Sequence, residues 1–210
     1  MNRFSCRSWL GLGLVSRAIA AFIMVGAAAS FSTVQAQDAT ACVQRIGGDT
    51  LQAAQSGTPQ AFLAVVQRHA DTDQIALFAL GQYRRLLPAQ RQSEFVDLVE
   101  VFIARTLADN YRKFRASEIR VTGTKPQGNS VNVETSLLFL GGRPSQKVIW
   151  RVVPEASGCK IIDVNVTNVW LGQLLRSSIT SAIQRGGQTI DAAFTYLQPS
   201  RGVTEVKINR

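Results

Sequence analysis

Few side chains in this sequence are of the types that carry out catalysis. The only histidine, His69, falls on the apolar side of a predicted helix, where histidine is more often structural than catalytic. Asp163 lies between two aliphatic residues in a predicted strand. It is a base in a pocket, a residue that faces away from the core, or the ion-pair partner of a helix residue such as Arg176. A small enzyme built on these residues would use Asp163 with Tyr111 or His69 as its acid and base.

No spacing in the chain matches a catalytic or metal-binding motif. The sequence has no Gly-x-Ser-x-Gly nucleophile turn, no histidine pair or cysteine cluster with metal spacing, and no glycine-rich loop after a strand. The adjacent glycines Gly141 and Gly142 are typical of a hairpin turn. The sequence therefore predicts no catalytic residue, no metal site and no cofactor, and it favours a protein that is not an enzyme.

The first residues have the pattern of a secretory signal peptide. Three arginines accompany an apolar run at residues 18–31, and small residues that end at Ala36 match a signal-peptidase site. The run is shorter than the ~20 residues of a membrane-spanning helix. We therefore expect residues 1–36 to be a cleaved signal peptide and the mature protein to be periplasmic. A retained membrane anchor is the alternative.

The chain is basic, with 23 Lys and Arg against 14 Asp and Glu and a formal net charge of +9. Such a charge favours anionic partners such as lipid headgroups or acidic protein faces, or it merely keeps the protein soluble. Because the protein is expected to be exported, no nucleic acid is expected among its partners.

Two cysteines follow the predicted leader, Cys42 and Cys159. An even pair of cysteines in an oxidising compartment is a candidate disulfide. Two buried free thiols are the alternative, because the sequence does not give the distance between the residues.

Hydrophobic periodicity predicts helices in the first half of the mature chain, strands from residue 118 to 166, and helices again from residue 170. The longest predicted helix has one apolar face, which we expect to lie on a sheet, and the first is expected to be interrupted by Gly47 and Gly48. The predicted helices are 41–55, one that begins at Pro59 after the capping residue Thr58, 74–87, 89–114, 170–185 and 189–198.

Four alternating segments form the predicted strands, at 118–125, 130–140, 146–153 and 159–166. This order predicts an α+β fold, in which a curved antiparallel sheet of about four strands packs against N- and C-terminal helices around an apolar pocket. We expect one domain at residues 37–198, followed by a polar C-terminal tail at 199–210.

Three stretches of the chain resemble a known family. They are residues 73–84, a short helix that reaches a glycine and an aromatic; residues 90–95 leading to 107–114, with a Gln, Phe and Tyr pattern; and residues 159–164, with a Lys, Ile, Asp and Val strand. In order and spacing they are similar to the periplasmic phospholipid-binding proteins of the MlaC type, also called toluene-tolerance auxiliary proteins. The resemblance covers nearly the whole mature chain.

The resemblance implies a lipid carrier that binds phospholipid acyl chains in an apolar pocket without turnover. It further implies that the carrier shuttles lipid between an inner-membrane ABC transporter complex and an outer-membrane lipoprotein or porin complex, and so serves outer-membrane lipid asymmetry. Near the expected pocket mouth the chain departs from the family around Trp170, which leaves a hopanoid or other polycyclic lipid as alternative cargo.

The facing of the predicted elements assigns a set of apolar residues to the pocket. Lys147 and Arg176 are weaker candidates for headgroup contact, and each is better explained as an ordinary surface or ion-pair residue. The same apolar residues would also suit a filled core, which would make the protein a structural adaptor. A small periplasmic enzyme that uses Asp163 in the pocket is a further alternative. The predicted lipid-binding residues are Phe78, Phe95, Val99, Phe102, Tyr111, Leu137, Phe139, Trp150, Val164, Trp170, Leu174 and Ile179.

Overall fold

The structure is a computed structural model that describes residues 28–198 except residues 115 and 117. Most of the predicted leader and the whole predicted tail, 199–210, lie outside the described residues. The described elements, in chain order, are α1 (Ala28–Ser56), α2 (Pro59–His69), α3 (Thr72–Leu80), 3₁₀ turns at Gly81–Leu86 and Ala89–Arg91, α4 (Gln92–Phe114), β1 (Glu118–Gln127), β2 (Ser130–Leu138), β3 (Gln146–Glu155), β4 (Gly158–Val166), β5 (Val169–Trp170), α5 (Leu171–Arg185) and α6 (Ile190–Leu197).

The strands form one antiparallel sheet in the order β1-β2-β3-β4-β5. The predicted α+β fold with a curved sheet against helices is confirmed. The fifth strand, which the sequence did not predict, has two residues and follows a tight turn in which Thr167 and Asn168 adopt φ values of 49° and 65°.

A bulge in β4 changes which of its residues face the helices. Trp150 of β3 pairs with Val164, and Arg151 pairs with Asp163, but Val152 pairs with Ile161, so Ile162 is an additional residue. Bulges of this kind bend a strand and increase its twist. As a result, the side chains at 161 and 164 share one face of the sheet although a regular strand would place them on opposite faces.

Helix α1 covers the inner face of the sheet. Its buried residues Ala39, Val43 and Ile46 pack in one cluster with Val133 and Trp150 of the central strands. This packing removes a large apolar area from water, at roughly 25 cal/mol per Å². The first helix therefore joins the N-terminal part of the chain to the sheet that follows more than sixty residues later.

The predicted interruption of this helix at Gly47 and Gly48 is wrong, because α1 is continuous through both glycines. A Cβ atom at Gly47 would lie 3.1 Å from Cδ1 of Ile119 on β1. Glycine is used here for close packing of the helix on the strand, and the loss of helix propensity, about 1 kcal/mol per glycine, is tolerated in a packed helix.

The prediction that the apolar face of the longest helix lies on the sheet is also wrong. Helix α4 packs mainly against α2, with further contacts to α3, α6 and α1. The sheet face is already occupied by α1, so α4 forms the next layer of the molecule. Near its middle, Ala104 and Ala108 meet Ala53, Ala54 and Phe62, and the four alanines of this cluster let three helices approach closely.

Helix α3 ends earlier than predicted, at Leu80 rather than 87. Gly81 adopts φ 55°, and a Cβ at this position would lie 2.7 Å from Nε of Arg176. A residue with a side chain would be strained by the backbone conformation and would collide with the guanidinium. The chain continues as the 3₁₀ turn Gly81–Leu86.

A disulfide connects α1 to β4. It joins Cys42 and Cys159, which are separated by 117 residues and whose Cα atoms lie 6.0 Å apart. Both residues are buried in the cluster formed by α1 and the sheet. The covalent bond therefore holds the first helix on the fourth strand.

Within the described residues, no helix combines the length and the apolar character that crossing a bilayer requires.

Candidate functional site

A cavity of about 240 Å³ lies where the layers of helices and the sheet meet. Helices α1 to α5 and strands β1 to β4 all contribute to its wall. The lining residues are Thr50, Leu51, Ala54, Phe62, Val65, Val66, Ala70, Ile75, Phe102, Ile103, Thr106, Leu107, Asn110, Tyr111, Ile119, Leu137, Val148, Trp150, Ile161, Ile162, Asp163, Val164, Val166, Leu171, Gly172, Leu174, Leu175 and Ser178.

The polar residues of this wall use much of their hydrogen-bonding capacity within their own helices. The Oγ1 atoms of Thr50 and Thr106 donate to the carbonyl oxygens four residues before them, at 2.7 and 2.8 Å. Nδ2 of Asn110 donates to the carbonyl oxygen of Thr106 at 2.8 Å. Because these donors turn back to the backbone, the surface that remains toward the cavity is predominantly apolar.

The sheet side of the cavity is centred on Trp150. Its indole Nε1 donates a hydrogen bond to Oγ1 of Thr135 at 2.9 Å. The Thr135 hydroxyl in turn donates to the carbonyl oxygen of Val148 at 3.2 Å. The buried N–H is thus satisfied without water. The ring contributes its apolar surface to the cavity while its polar atom points into the sheet.

Asp163 holds the first turn of α5 against the sheet. Its Oδ1 accepts hydrogen bonds from the backbone N–H groups of Gly172, at 2.9 Å, and Val164, at 2.8 Å. Burial raises the pKa of Asp163, and these two hydrogen bonds together with the nearby Arg151 oppose that rise. The carboxylate caps a helix that has no capping side chain of its own at Trp170.

The ion pair with Arg176 that the sequence suggested for Asp163 is not formed. Arg176 instead lies at Gly81, with its guanidinium carbon 5.3 Å from the ring centre of Phe78. The other predicted headgroup residue, Lys147, forms an ion pair with Glu134 at 2.7 Å on the exposed face of the sheet. Neither Arg176 nor Lys147 lines the cavity.

Near the C-terminal end of α4, Tyr111 forms part of the cavity wall. Its ring lies against the turn between α1 and α2, where a Cβ at Gly57 would be 2.8 Å from Cζ of the tyrosine. Gly57 has φ 64°, so glycine suits both the turn and the contact. Nε of the exposed Arg112 donates to the Tyr111 hydroxyl at 3.4 Å.

The predicted pocket residues fall into three groups. The first group lines the cavity: Phe102, Tyr111, Leu137, Trp150, Val164 and Leu174. The second group, Phe95, Val99 and Ile179, is fully buried and fills the core between α3, α4, α5 and α6 instead. The third group, Phe78, Phe139 and Trp170, lies outside the cavity wall, each beneath an arginine side chain.

Several lining residues on α1 and α2 were missed at the level of sequence. Phe62, Val65 and Val66 share the apolar face that the sequence indicates for α2. The signal was therefore present, but periodicity does not tell whether the face meets a cavity or another helix. On α1, Leu51 and Ala54 gave no distinct signal, because the helix was predicted to be broken before them.

His69 lies outside the cavity wall and pairs with Asp49. Its Nε2 is 2.7 Å from Oδ2 of Asp49, which also accepts from Arg68 at 3.2 Å. The hydrogen bond from His69 is the main cause of the lowered pKa of Asp49; burial opposes it, and the hydrogen bond from Arg68 adds to the lowering. The structure thus places Tyr111 and Asp163 on one wall but keeps His69 away from it.

Among residues 28–198, apart from the two that are not described, no group of histidine, cysteine, aspartate and glutamate side chains has the arrangement of a metal site.

Comparison with known proteins agrees with the architecture described above. The sequence profile of the family described as MlaC protein matches residues 36–198. A solved structure of a phospholipid-binding protein from Ralstonia solanacearum, in complex with a phospholipid, superposes with a TM-score of 0.65 at 19% sequence identity, and the match covers 76% of this chain and 94% of that chain. No curated protein matches the sequence significantly.

Proposed function

Because the chain belongs to the MlaC protein family, we propose that it is a carrier that binds a phospholipid with the acyl chains in the cavity between α4, α5 and the sheet. The observation that carries the proposal is the apolar wall of this cavity, in which the donors of Thr50, Thr106 and Asn110 are bonded to backbone carbonyls. The phospholipid bound by the Ralstonia solanacearum protein, which has the same fold, supports this choice of ligand.

The two parts of a phospholipid differ in the free energy of leaving water. Acyl chains gain roughly 25 cal/mol for each Å² of apolar area removed from water. A charged headgroup is costly to bury without partners, so it stays in water at the opening. At about 240 Å³ the cavity is slightly smaller than the ~300–1,000 Å³ of typical ligand pockets. Only the chains are therefore expected to enter.

The cellular role follows from the family rather than from the cavity. We propose that the mature protein acts in the periplasm and transfers lipid between an inner-membrane ABC transporter complex and an outer-membrane lipoprotein or porin complex. The signal-peptide pattern of residues 1–36 supports export, and the net charge, +9 for the whole chain and +6 without the three arginines of the leader, favours encounter with anionic membranes or acidic docking faces.

The experiment is mass spectrometry of organic extracts from protein purified out of the periplasm without detergent. We expect about one phospholipid for each protein molecule. A hopanoid in the extract would support the carrier function but with a different cargo. Trp170, on which that alternative rested, stacks with Arg151 outside the cavity wall, so no structural observation favours it. Folded protein with no lipid would contradict the proposal and favour an adaptor.

A further inference from the structure

We propose that Arg112 binds the phosphate of the lipid headgroup at the end of the cavity formed by Tyr111. The proposal rests on the proposed carrier function and adds the residue that recognises the charged part of the ligand. The ligand chemistry is a singly or doubly charged phosphate ester whose apolar chains lie in the cavity.

The first step of the argument is the distribution of charge along the cavity wall. Asp163 is the one charged residue among the described residues that line the cavity, and its carboxylate accepts hydrogen bonds from the N–H groups of Gly172 and Val164. A phosphate placed there would meet a carboxylate of the same sign with little screening from water. The end of the cavity near Asp163 is therefore unsuitable for the headgroup.

The second step is the position of Arg112 beside Tyr111, which lines the cavity. Its Nε donates to the hydroxyl of Tyr111, a residue of the wall, at 3.4 Å, and its guanidinium carbon lies 5.8 Å from the ring centre. The side chain is exposed, and within the described part of the chain it forms no ion pair with a carboxylate. A guanidinium has further N–H donors in a planar fork, which suits two oxygens of one phosphate.

The third step is that the site is held in place before any ligand arrives. The Tyr111 ring packs against Gly57. A Cβ atom at position 57 would lie only 2.8 Å from Cζ of the ring, so glycine leaves the room that the ring needs. Nε of Arg112 in turn donates a long hydrogen bond, of 3.4 Å, to the Tyr111 hydroxyl, which favours this position of the guanidinium without fixing it. Preorganisation of this kind reduces the entropy lost when the guanidinium is engaged.

The test compares two ligands with identical acyl chains, a short-chain phosphatidic acid and the corresponding diacylglycerol. Binding of each to delipidated wild-type protein, R112Q and R105Q is measured by native mass spectrometry and calorimetry. R105Q is the matched control, since it removes an arginine from the same helix at a position outside the cavity wall. Thermal unfolding of all three proteins checks that R112Q changes binding and not folding.

We expect wild type and R105Q to bind phosphatidic acid more tightly than diacylglycerol, and R112Q to lose about 3- to 10-fold affinity for phosphatidic acid alone, as for a partly exposed charged hydrogen bond. Equal affinities of R112Q and wild type for both lipids would overturn the inference. Failure of wild type to bind either lipid would overturn the carrier function itself.

A further measurement separates a lipid headgroup from free phosphate. Inorganic phosphate is titrated from micromolar to millimolar concentration into wild type alone and in competition with phosphatidic acid. The inference expects no more than weak competition, because the acyl chains supply most of the affinity. Displacement of the lipid by micromolar phosphate would assign Arg112 to a free-phosphate site instead.

Discussion

The indole nitrogen of Trp150 lies 2.9 Å from Oγ1 of Thr135, and this hydrogen bond is fully buried in the sheet beneath the cavity. The same hydroxyl is the donor to the carbonyl oxygen of Val148. One threonine thus satisfies a neighbouring tryptophan and a backbone acceptor. The arrangement leaves the cavity with the apolar face of the ring.

The first prediction concerns this threonine. T135V keeps the shape of the side chain but leaves the Trp150 N–H without a partner, so we expect the free energy of unfolding to fall by about 1–3 kcal/mol. Urea denaturation followed by tryptophan fluorescence measures the change. T135S, which retains the hydroxyl, serves as the control and should lose less. A T135V protein as stable as T135S would show that the hydrogen bond is unimportant.

The second prediction concerns access to the cavity. Leu174 lines the cavity from α5, so the larger side chain of L174W should occupy space that a lipid would use and reduce co-purified lipid by more than half. Q173W places the same side chain at the preceding, exposed position and should retain full loading. Lipid per protein is measured by mass spectrometry after organic extraction. Equal loading of the two variants would place the lipid elsewhere.

The third prediction concerns Asp163 and pH. Because burial raises its folded-state pKa above the ordinary 3.8, the stability that Asp163 contributes is complete below that pH and is lost as pH rises through the raised pKa. D163N stays neutral and lacks this dependence. We therefore expect D163N to gain stability relative to wild type as the pH rises from 3.8 through the raised pKa of Asp163. Above that pKa, the difference between the two free energies of unfolding should become constant.

Denaturant unfolding of both proteins from pH 3 to pH 8 gives this comparison. D163A provides the control for the cap, since it removes the acceptor for Gly172 N–H and should cost about 0.5–2 kcal/mol. Parallel stability profiles for wild type and D163N would mean that the carboxyl titrates alike in the folded and unfolded chains.

The fourth prediction concerns the disulfide between Cys42 and Cys159. Reduction should lower the free energy of unfolding by about 2–5 kcal/mol, since the bond closes a long loop in the unfolded chain. Denaturation with and without dithiothreitol measures the effect. The double variant C42S/C159S should match the reduced protein and be insensitive to dithiothreitol. If the reductant left wild type unchanged, the bond would contribute nothing to stability.

The apolar stripe of α4 shows how far the sequence leads toward the site. Its period is visible from Phe95 to Tyr111, and the structure keeps all of it on the inner side of the helix. The first part of the stripe, around Phe95 and Val99, meets other helices and fills the core. The last part, from Phe102 onward, meets a cavity. Periodicity reports that a face is apolar, but what lies opposite depends on contacts distant in sequence.

The sheet side shows a different limit. Strands β1 to β4 follow from the alternation of residue types, and their predicted bounds are close to those observed. The bulge at Ile162 does not follow, because it arises from the pairing with β3 and leaves no mark in the alternation. It is this bulge that brings Ile161 and Val164 to the same face and leaves Asp163 beside α5.

The position of α1 has a consequence for how the chain is made. Ala39, Val43 and Ile46 find their partners only in strands that are synthesised about a hundred residues later. A chain that emerges from its N-terminus therefore carries an apolar helix with nothing to cover it until β4 has appeared. Such long-range pairing slows folding and exposes the nascent chain to aggregation. The topology therefore favours escort of the unfolded chain until the strands have formed.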